Sequence, residues 1–339
     1  MKSIRVYTLA CLMTFTLTAV ASAATPELVS VRKIWDQGEH NAFTDLIRWQ
    51  DRLWCVFREG EGHVGGDGRI RVLSSDDAAD WESVALLTEE GVDLRDPKLS
   101  ITPDGRLMLV MGGSVYGGTT TLKSRQPRVS FSSDGKQWTK PQLVLDEGEW
   151  LWRVTWHNGM AYGISYRTEP RPDQTHLSAD AWSVSLYQSD DGESWQRVTD
   201  FTIPGRPNEA TLRFRGDEMW ALLRREGGEQ VSWIGRSLPP YAQWQWRPTS
   251  QRIGGPNFVV LPDGTKWAGG RQYEGGPRTV LFRMTDRSLD AVLTFPSGGD
   301  TSYPGFVLDG DGMWVSYYSS HEGNSAIYIA RVRWRTPGQ

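Results

Sequence analysis

Apolar residues recur along the chain in short runs separated by turns rich in Asp, Asn and Gly. The clearest example is 207–226, where two apolar runs with partial alternation flank Gly216-Asp217. This pattern predicts a β-hairpin with its turn at Gly216-Asp217. The same register places Glu209 opposite Arg224, with Cβ atoms roughly 5 Å apart. A carboxylate and a guanidinium are therefore expected to face each other at the open end of this hairpin.

The hairpin pattern occurs five more times, at intervals of roughly 40 to 55 residues, which indicates an array of similar units. The other predicted hairpins run from Leu46 to Glu59, Lys98 to Gly113, Arg153 to Arg167, Asn257 to Tyr273 and Gly305 to Glu322. Their turns are predicted at Gln50-Asp51, Asp104-Gly105, Asn158-Gly159, Asp263-Gly264 and Asp311-Gly312.

A second signature follows each of the first three hairpins and combines Ser, Asp and a closing Trp. These segments, named here the Ser/Asp/Trp boxes, are 74–81, 132–138 and 189–195, with a degenerate fourth at 237–244. Asp and Gly suit a tight turn between two strands, and the Trp can pack back on its own sheet. We expect the boxes to be structural.

Two hairpins in each unit give four strands, and six such units predict an all-β fold, a six-bladed β-propeller. The segment Glu27–Trp35 precedes the first hairpin, and the last unit ends in Ser325–Trp334. We predict that the first segment pairs into the last blade and closes the ring. An open array would instead leave two unpaired sheet edges.

The first residues have the features of a secretory signal peptide. Lys2 and Arg5 precede an apolar run that ends in Ala21-Ser22-Ala23. Cleavage after residue 23 would leave a single propeller domain over 24–339 that is secreted or periplasmic. The run is too short and too rich in Thr to be a membrane anchor, so no membrane insertion is expected of the mature form.

Loss of Lys2 and Arg5 would move the formal net charge from −4 to −6. This balance provides no basic face for nucleic acid, which is not an expected partner. Cys55 would be the only cysteine left and lies in an apolar run, so we expect it to be buried. No oligomeric state follows from these features.

Strand direction divides the chain into two ends. The hairpin turns and the Ser/Asp/Trp boxes lie at one end, and the starts of the inner strands lie at the other. We expect chemistry at the second end, because binding residues are commonly presented at the loop ends of a rigid scaffold. That end receives His40, Asp45, Arg58, His63, Asp67, Arg95, Asp96, Trp152, Arg153, Arg167, Asn208, Glu209, Arg224, Arg225, Arg271, Arg278, Asp300, Tyr303, His321 and Glu322.

The boxes, together with these residues in this order, resemble the sialidase family over essentially the whole mature chain. The loop 58–67 is similar to the sialidase loop that carries the acid/base Asp, which implies this role for Asp67. Asn208-Glu209 and Arg224 resemble the Asn-Glu pair and the second carboxylate-binding arginine, and Arg278 falls where the third is expected. Ser302-Tyr303-Pro304 resembles the segment with the nucleophilic tyrosine.

The first blade departs from this pattern. Sialidases open it with Phe-Arg-Ile-Pro, whose arginine is the first of three that grip the substrate carboxylate, whereas this chain has Phe43-Thr44-Asp45-Leu46. Sialic acid and a different terminal sugar, acidic or neutral, therefore both stand as substrates within a glycan or glycoconjugate. The predicted substrate-binding residues are Arg58, His63, Arg95, Asp96, Arg153, Arg224, Arg278 and His321.

The resemblance implies a retaining glycoside hydrolase. Tyr303 would attack the anomeric carbon while Glu209 takes its proton, and Asp67 would protonate the leaving group. For a neutral sugar, Asp67, Glu209 or Glu322 would equally serve as an ordinary carboxylate pair. No cofactor is expected, and the scattered histidines do not predict a metal site.

Each assignment has a structural alternative. Glu209 and Arg224 could form only a cross-strand ion pair, Tyr303 could be a core aromatic residue, and Asp67 could be a turn residue. Two other functions also fit the sequence: a polysaccharide lyase that uses Tyr, His and Arg, and a glycan-binding propeller without catalysis. Trp152 is the Trp expected to stack on a sugar ring.

Overall fold

The computed structural model describes residues 25–66, 68–118, 120–178 and 181–335. These residues form six antiparallel four-stranded sheets, which confirms the predicted six-bladed β-propeller. Among them, no helix is long and apolar enough to cross a membrane.

The strands follow the chain blade by blade. Blade 1 is β2 (His40–Trp49), β3 (Arg52–Gly60), β4 (Arg69–Ser75) and β5 (Glu82–Leu87). Blade 2 is β6 (Asp93–Ile101), β7 (Leu107–Gly117), β8 (Thr121–Ser132) and β9 (Gln142–Leu143). Blade 3 is β10 (Trp150–His157), β11 (Met160–Arg167), β12 (Ser183–Ser189) and β13 (Gln196–Phe201).

Blade 4 is β14 (Pro207–Arg215), β15 (Glu218–Arg225), β16 (Trp233–Ser237) and β17 (Gln245–Pro248). Blade 5 is β18 (Gly254–Val260), β19 (Lys266–Gln272), β20 (Arg278–Met284) and β21 (Leu289–Thr294). Blade 6 is β22 (Thr301–Asp309), β23 (Gly312–Ser319) and β24 (Ala326–Arg335), completed by β1 (Thr25–Trp35).

The N-terminal strand closes the ring as predicted. β1 pairs antiparallel with β24, with Thr25 opposite Arg335 and Trp35 opposite Ile327. One predicted turn needs correction: Asp309 pairs with Gly312, so the last hairpin turns at Gly310-Asp311, one residue earlier than predicted.

The hydrophobic core lies between neighbouring blades. Val56 and Val72 of blade 1 pack in one cluster with Leu94 and Leu109 of blade 2, and similar clusters follow around the ring. Cys55 is fully buried, as predicted. Each blade therefore buries its faces against its neighbours, and the inner strands are held close to a common axis.

The Ser/Asp/Trp boxes are tight turns held by their own side chains. In blade 2, Ser132 Oγ accepts the Gly135 amide at 2.8 Å, and Asp134 Oδ1 accepts the amides of Lys136 and Gln137 at 2.8 and 2.7 Å. The Trp138 indole donates to the Gly135 carbonyl at 3.0 Å. These contacts confirm the structural role that the sequence predicts.

All six inner strands carry the same irregularity near their first residues. At each of these places two residues of the inner strand lie opposite one residue of the next strand, which is a β-bulge. The bulges are 43–44, 96–97, 152–153, 208–209, 255–256 and 303–304. A bulge re-aims side chains, and all six lie at the end of the ring where the sequence predicts chemistry.

The substitution Gly135→Ala tests how the boxes fit between blades. Gly135 has φ 72° and its missing Cβ faces the Trp54 indole of blade 1, so the variant suffers both backbone strain and overpacking. We expect about 2 to 4 kcal/mol of lost stability in chemical unfolding. Gly159→Ala is the control, because Gly159 has φ 80° but open space around it, and it should lose only about 1 kcal/mol. Equal losses would contradict the contact.

Candidate active site

Glu209, Tyr303 and Arg224 form a hydrogen-bonded triangle at the mouth of the ring. The Tyr303 hydroxyl donates to Glu209 Oε1 at 2.7 Å. Arg224 Nη1 donates to the same carboxylate oxygen at 2.8 Å and to the Tyr303 hydroxyl oxygen at 3.1 Å. The hairpin register predicted from the sequence is confirmed, with Glu209 in the β14 bulge and Arg224 opposite it.

Glu209 is ionised and Tyr303 is neutral in this arrangement. Burial opposes ionisation of Glu209, but Arg224, the Tyr303 hydroxyl and the Gly255 amide hold its pKa below the usual range. The Gly255 amide donates to Glu209 Oε2 at 2.9 Å. Burial and the Glu209 charge raise the pKa of Tyr303 well above its ordinary value. The pair is therefore a phenol bonded to a carboxylate that can accept its proton.

Aromatic rings surround the Tyr303 side chain. Phe43 lies edge-on at a centroid distance of 5.0 Å, and Trp152 lies at 5.6 Å. Phe43 and Tyr303 have φ values of 64° and 54°, a left-handed conformation that is strained for bulky residues and that their bulges impose. In the first blade it is therefore Phe43, and not an arginine, that contacts Tyr303.

Asp96 and Lys98 of the second blade are buried beside this group. Asp96, with φ 53°, occupies the β6 bulge, and burial raises its pKa against the opposing charges of Arg95 and Lys98. Burial and then the Arg153 charge lower the pKa of Lys98 to about 8. The Lys98 ammonium lies 4.9 Å from the Trp152 ring centroid and 5.8 Å from that of Tyr303.

Two of the predicted binding arginines are engaged inside the protein. The Arg58 side chain is fully buried, and its Nε donates to Asp93 at 2.7 Å. Arg153 Nη1 donates to both carboxylate oxygens of Asp45, at 2.9 and 2.8 Å, deeper in the ring. Asp45 also accepts the Leu99 amide, so this pair ties blades 1, 2 and 3 together.

The remaining predicted residues lie around the mouth. Arg95 is buried beside Asp93 and Asp96. Arg278 is exposed at the start of β20 and donates to its neighbouring Pro277 carbonyl.

The two predicted histidines also lie at this end of the ring. His321, after β23, forms a hydrogen bond with Ser319 Oγ through Nδ1 at 2.9 Å. His63 follows β3 and bonds Asp300. Asp67 lies outside the described residues.

Arg271, Asp300 and Tyr318 form a second polar group. The sequence placed Arg271 and Asp300 at this end of the ring without a role and did not include Tyr318. Arg271 Nη2 donates to Asp300 Oδ1 at 3.1 Å and to the Tyr318 hydroxyl at 2.9 Å, and its guanidinium lies 5.8 Å from the Tyr303 ring centroid. Arg271 lies opposite Gly254, next to the β18 bulge, as Arg225 lies opposite Pro207, next to the β14 bulge.

A surface cleft of about 790 Å³ is lined by residues of blades 1 and 2 that include Gly38, Glu61, Arg69 and Glu89. None of the triangle residues lines it. Because the convergent polar groups are those around the triangle, we place the candidate active site there rather than in this cleft.

No protein-family model matches the chain, and no match was found among curated proteins. Among solved structures, a Dyadobacter fermentans protein of unknown function aligns with a TM-score of 0.79 and 19% identity, over 91% of this chain and 99% of that chain. A Fusarium graminearum α-L-arabinofuranosidase aligns with a TM-score of 0.70 and 12% identity, over 90% and 98%. Trypanosoma rangeli sialidase aligns with a TM-score of 0.68 and 11% identity, over 91% and 60%. At these identities the likeness shows a shared fold.

The substitution Glu209→Gln tests the buried charge. It leaves Arg224 without one carboxylate partner, and we expect a loss of about 3 kcal/mol at pH 7. The pKa of Glu209 is lower in the folded state than in the unfolded state. The stability that the Glu209 charge contributes is therefore complete above the unfolded-state pKa of about 4.3, and it is lost as the pH falls through the folded-state pKa.

Urea unfolding at a series of pH values would measure this effect. The difference between wild type and Glu209→Gln should be constant near neutrality and shrink below about pH 4.3. Glu82→Gln is the control, since Glu82 is an exposed partner of Arg52 and should change stability by less than about 1 kcal/mol. A constant difference down to pH 3 would contradict the lowered pKa of Glu209.

Proposed function

We propose that the protein is a retaining exo-glycoside hydrolase that removes a terminal neutral sugar, with Tyr303 as nucleophile and Glu209 as its base. The observation that carries this proposal is the 2.7 Å hydrogen bond from the Tyr303 hydroxyl to an ionised Glu209. The Tyr303 oxygen attacks the anomeric carbon while its proton passes to Glu209. Arg224, bonded to both oxygens, stabilises the charge that moves between them.

The pairing of Arg224, Arg271 and Arg95 with acidic side chains supports the neutral sugar. Arg224 bonds Glu209 and is also in contact with Glu226, Arg271 bonds Asp300, and Arg95 lies between Asp93 and Asp96. A substrate carboxylate would have to compete with these acids for each guanidinium. In the first blade the buried Phe43 ring contacts Tyr303, and Thr44 stands where the sialidase pattern has its first arginine.

The enclosure of the mouth supports action at a chain end. Phe43, Trp152 and Gly255 of three different bulges lie against Tyr303, so strands enclose the nucleophile from several blades. A sugar that reaches Tyr303 therefore enters from the open end of the ring.

A panel of nitrophenyl glycosides of neutral pentoses, neutral hexoses and sialic acid tests this function. Wild type should hydrolyse a neutral glycoside. Glu209→Gln should lower kcat by about 10²- to 10⁴-fold, and Tyr303→Phe by at least as much, because each removes a group that acts in the transition state. Tyr162→Phe is the control, since Tyr162 packs between blades 3 and 4 among Phe214 and Tyr241.

Three results would overturn the proposal. Turnover that survives both Tyr303→Phe and Glu209→Gln would remove their roles. Preference for the sialic acid glycoside would contradict the neutral sugar. An unsaturated product with near-ultraviolet absorbance from a polysaccharide would identify a lyase instead.

A further inference from the structure

Two imidazoles converge on one carboxylate beside the mouth of the ring. Asp300 Oδ2 lies 2.7 Å from His63 Nδ1 and 3.0 Å from His40 Nε2. The three residues come from the loop before β22, the loop after β3 and the start of β2. They therefore meet only because the ring brings blades 1 and 6 together.

Asp300 is built to remain an anion. Its Oδ1 accepts hydrogen bonds from the Tyr318 hydroxyl at 2.7 Å and from Arg271 at 3.1 Å. Burial opposes ionisation, but the bonds from His40, His63 and Tyr318 hold the pKa of Asp300 far below its usual range. An ionised carboxylate only accepts, so His63 presents a protonated Nδ1 to it.

This contact leaves His63 Nε2 available for proton transfer. A carboxylate that fixes one ring nitrogen sets the tautomer and the orientation of an imidazole, as in catalytic His–Asp pairs. The His40 side chain is mostly buried, whereas about half of the His63 side chain is exposed (13% against 49%). His63 is therefore the imidazole that a substrate can reach.

The Phe43 ring lies between the His63 imidazole and Tyr303, the proposed nucleophile. The Phe43 ring is 5.2 Å from the His63 ring and 5.0 Å from the Tyr303 ring, measured between centroids. Arg271 connects the same groups, because it bonds Asp300 and lies beside Tyr303. His63 therefore lies close to the proposed nucleophile, on the blade 1 side of the mouth.

His40, His63 and Asp300 each offer one ligand atom, and these three atoms lie within 4.8 Å of one another, which is compatible with a metal ion. Two observations favour proton transfer over metal binding. Arg271 already holds the carboxylate, and its positive charge disfavours a nearby divalent cation. His40 Nδ1 is buried without a hydrogen-bond partner among the described residues, whereas a metal-bound imidazole commonly has its second nitrogen bonded.

We propose that His63, oriented by Asp300, is the acid/base residue for the leaving group, an inference that rests on the proposed hydrolase function. His63 Nε2–H gives its proton to the glycosidic oxygen as the bond to the anomeric carbon breaks and the bond from Tyr303 forms. Neutral His63 then takes a proton from water, whose oxygen attacks the anomeric carbon. The Tyr303 oxygen leaves and regains its proton from Glu209.

Leaving-group dependence tests this role. His63→Gln should lower kcat/KM about 10²- to 10⁴-fold for a disaccharide, and by less than about tenfold for a dinitrophenyl glycoside, whose leaving group needs no proton. His157→Gln is the matched control, because His157 pairs with Asp217 at 3.3 Å at the opposite end of the ring.

Asp67→Asn is measured beside His63→Gln, because the sialidase resemblance implies the same role for Asp67. A leaving-group-dependent loss in Asp67→Asn but not in His63→Gln would overturn the inference. Stoichiometric metal in the protein, with activity lost on chelation and restored by a divalent cation, would also overturn it.

Nitrogen NMR separates failure of this inference from failure of the proposed function. In ¹⁵N-histidine-labelled protein, the signals absent from His63→Gln identify His63, and its neutral form should carry the proton on Nδ1. If this tautomer is present but no glycoside is cleaved, the hydrolase proposal fails while the His63–Asp300 contact stands. A neutral form protonated on Nε2 would contradict the contact itself.

Discussion

The pairing of charges buried around one axis is the constraint on which the site depends. Closing six sheets into a ring brings the inner strands together, and a buried carboxylate there is costly unless a cation meets it. The cation comes from the structure itself in each case: Arg224 meets Glu209 and Arg271 meets Asp300 at the mouth, and Arg153 meets Asp45 deeper in the ring. These pairs fix the positions of the acids and occupy these three arginines.

The repeated bulge explains how six similar inner strands bring different side chains together in one site. A strand without a bulge alternates its side chains strictly between the two faces of the blade, and both faces pack against neighbouring blades. The extra residue near the start of each inner strand breaks this alternation and brings Phe43, Asp96, Trp152, Glu209 and Tyr303 to the mouth. The left-handed backbone of Phe43, Asp96 and Tyr303 is strain that the surrounding sheets sustain.

The sequence predicted what depends on local pattern. The hairpins follow from alternation and turn composition, and the Glu209–Arg224 contact follows from register within one hairpin. The closure of β1 on β24 follows instead from the need to cover the two sheet edges that an open array would leave. It could not predict pairings between distant blades. The bond between His63 and Asp300 spans 237 residues, so no spacing rule reports it. Burial of the Arg58 side chain against Asp93 likewise depends on how blades 1 and 2 pack.

Trapping the glycosyl-enzyme intermediate would identify the nucleophile. A 2-deoxy-2-fluoro glycoside of the preferred neutral sugar, with a dinitrophenyl leaving group, slows both chemical steps and allows the labelled residue to be located by peptide mass spectrometry. We predict a single glycosyl group on the Tyr303 oxygen, formed in wild type and absent from Tyr303→Phe. A label on the carboxylate of Asp96 or Glu209, or a label that persists in Tyr303→Phe, would contradict it.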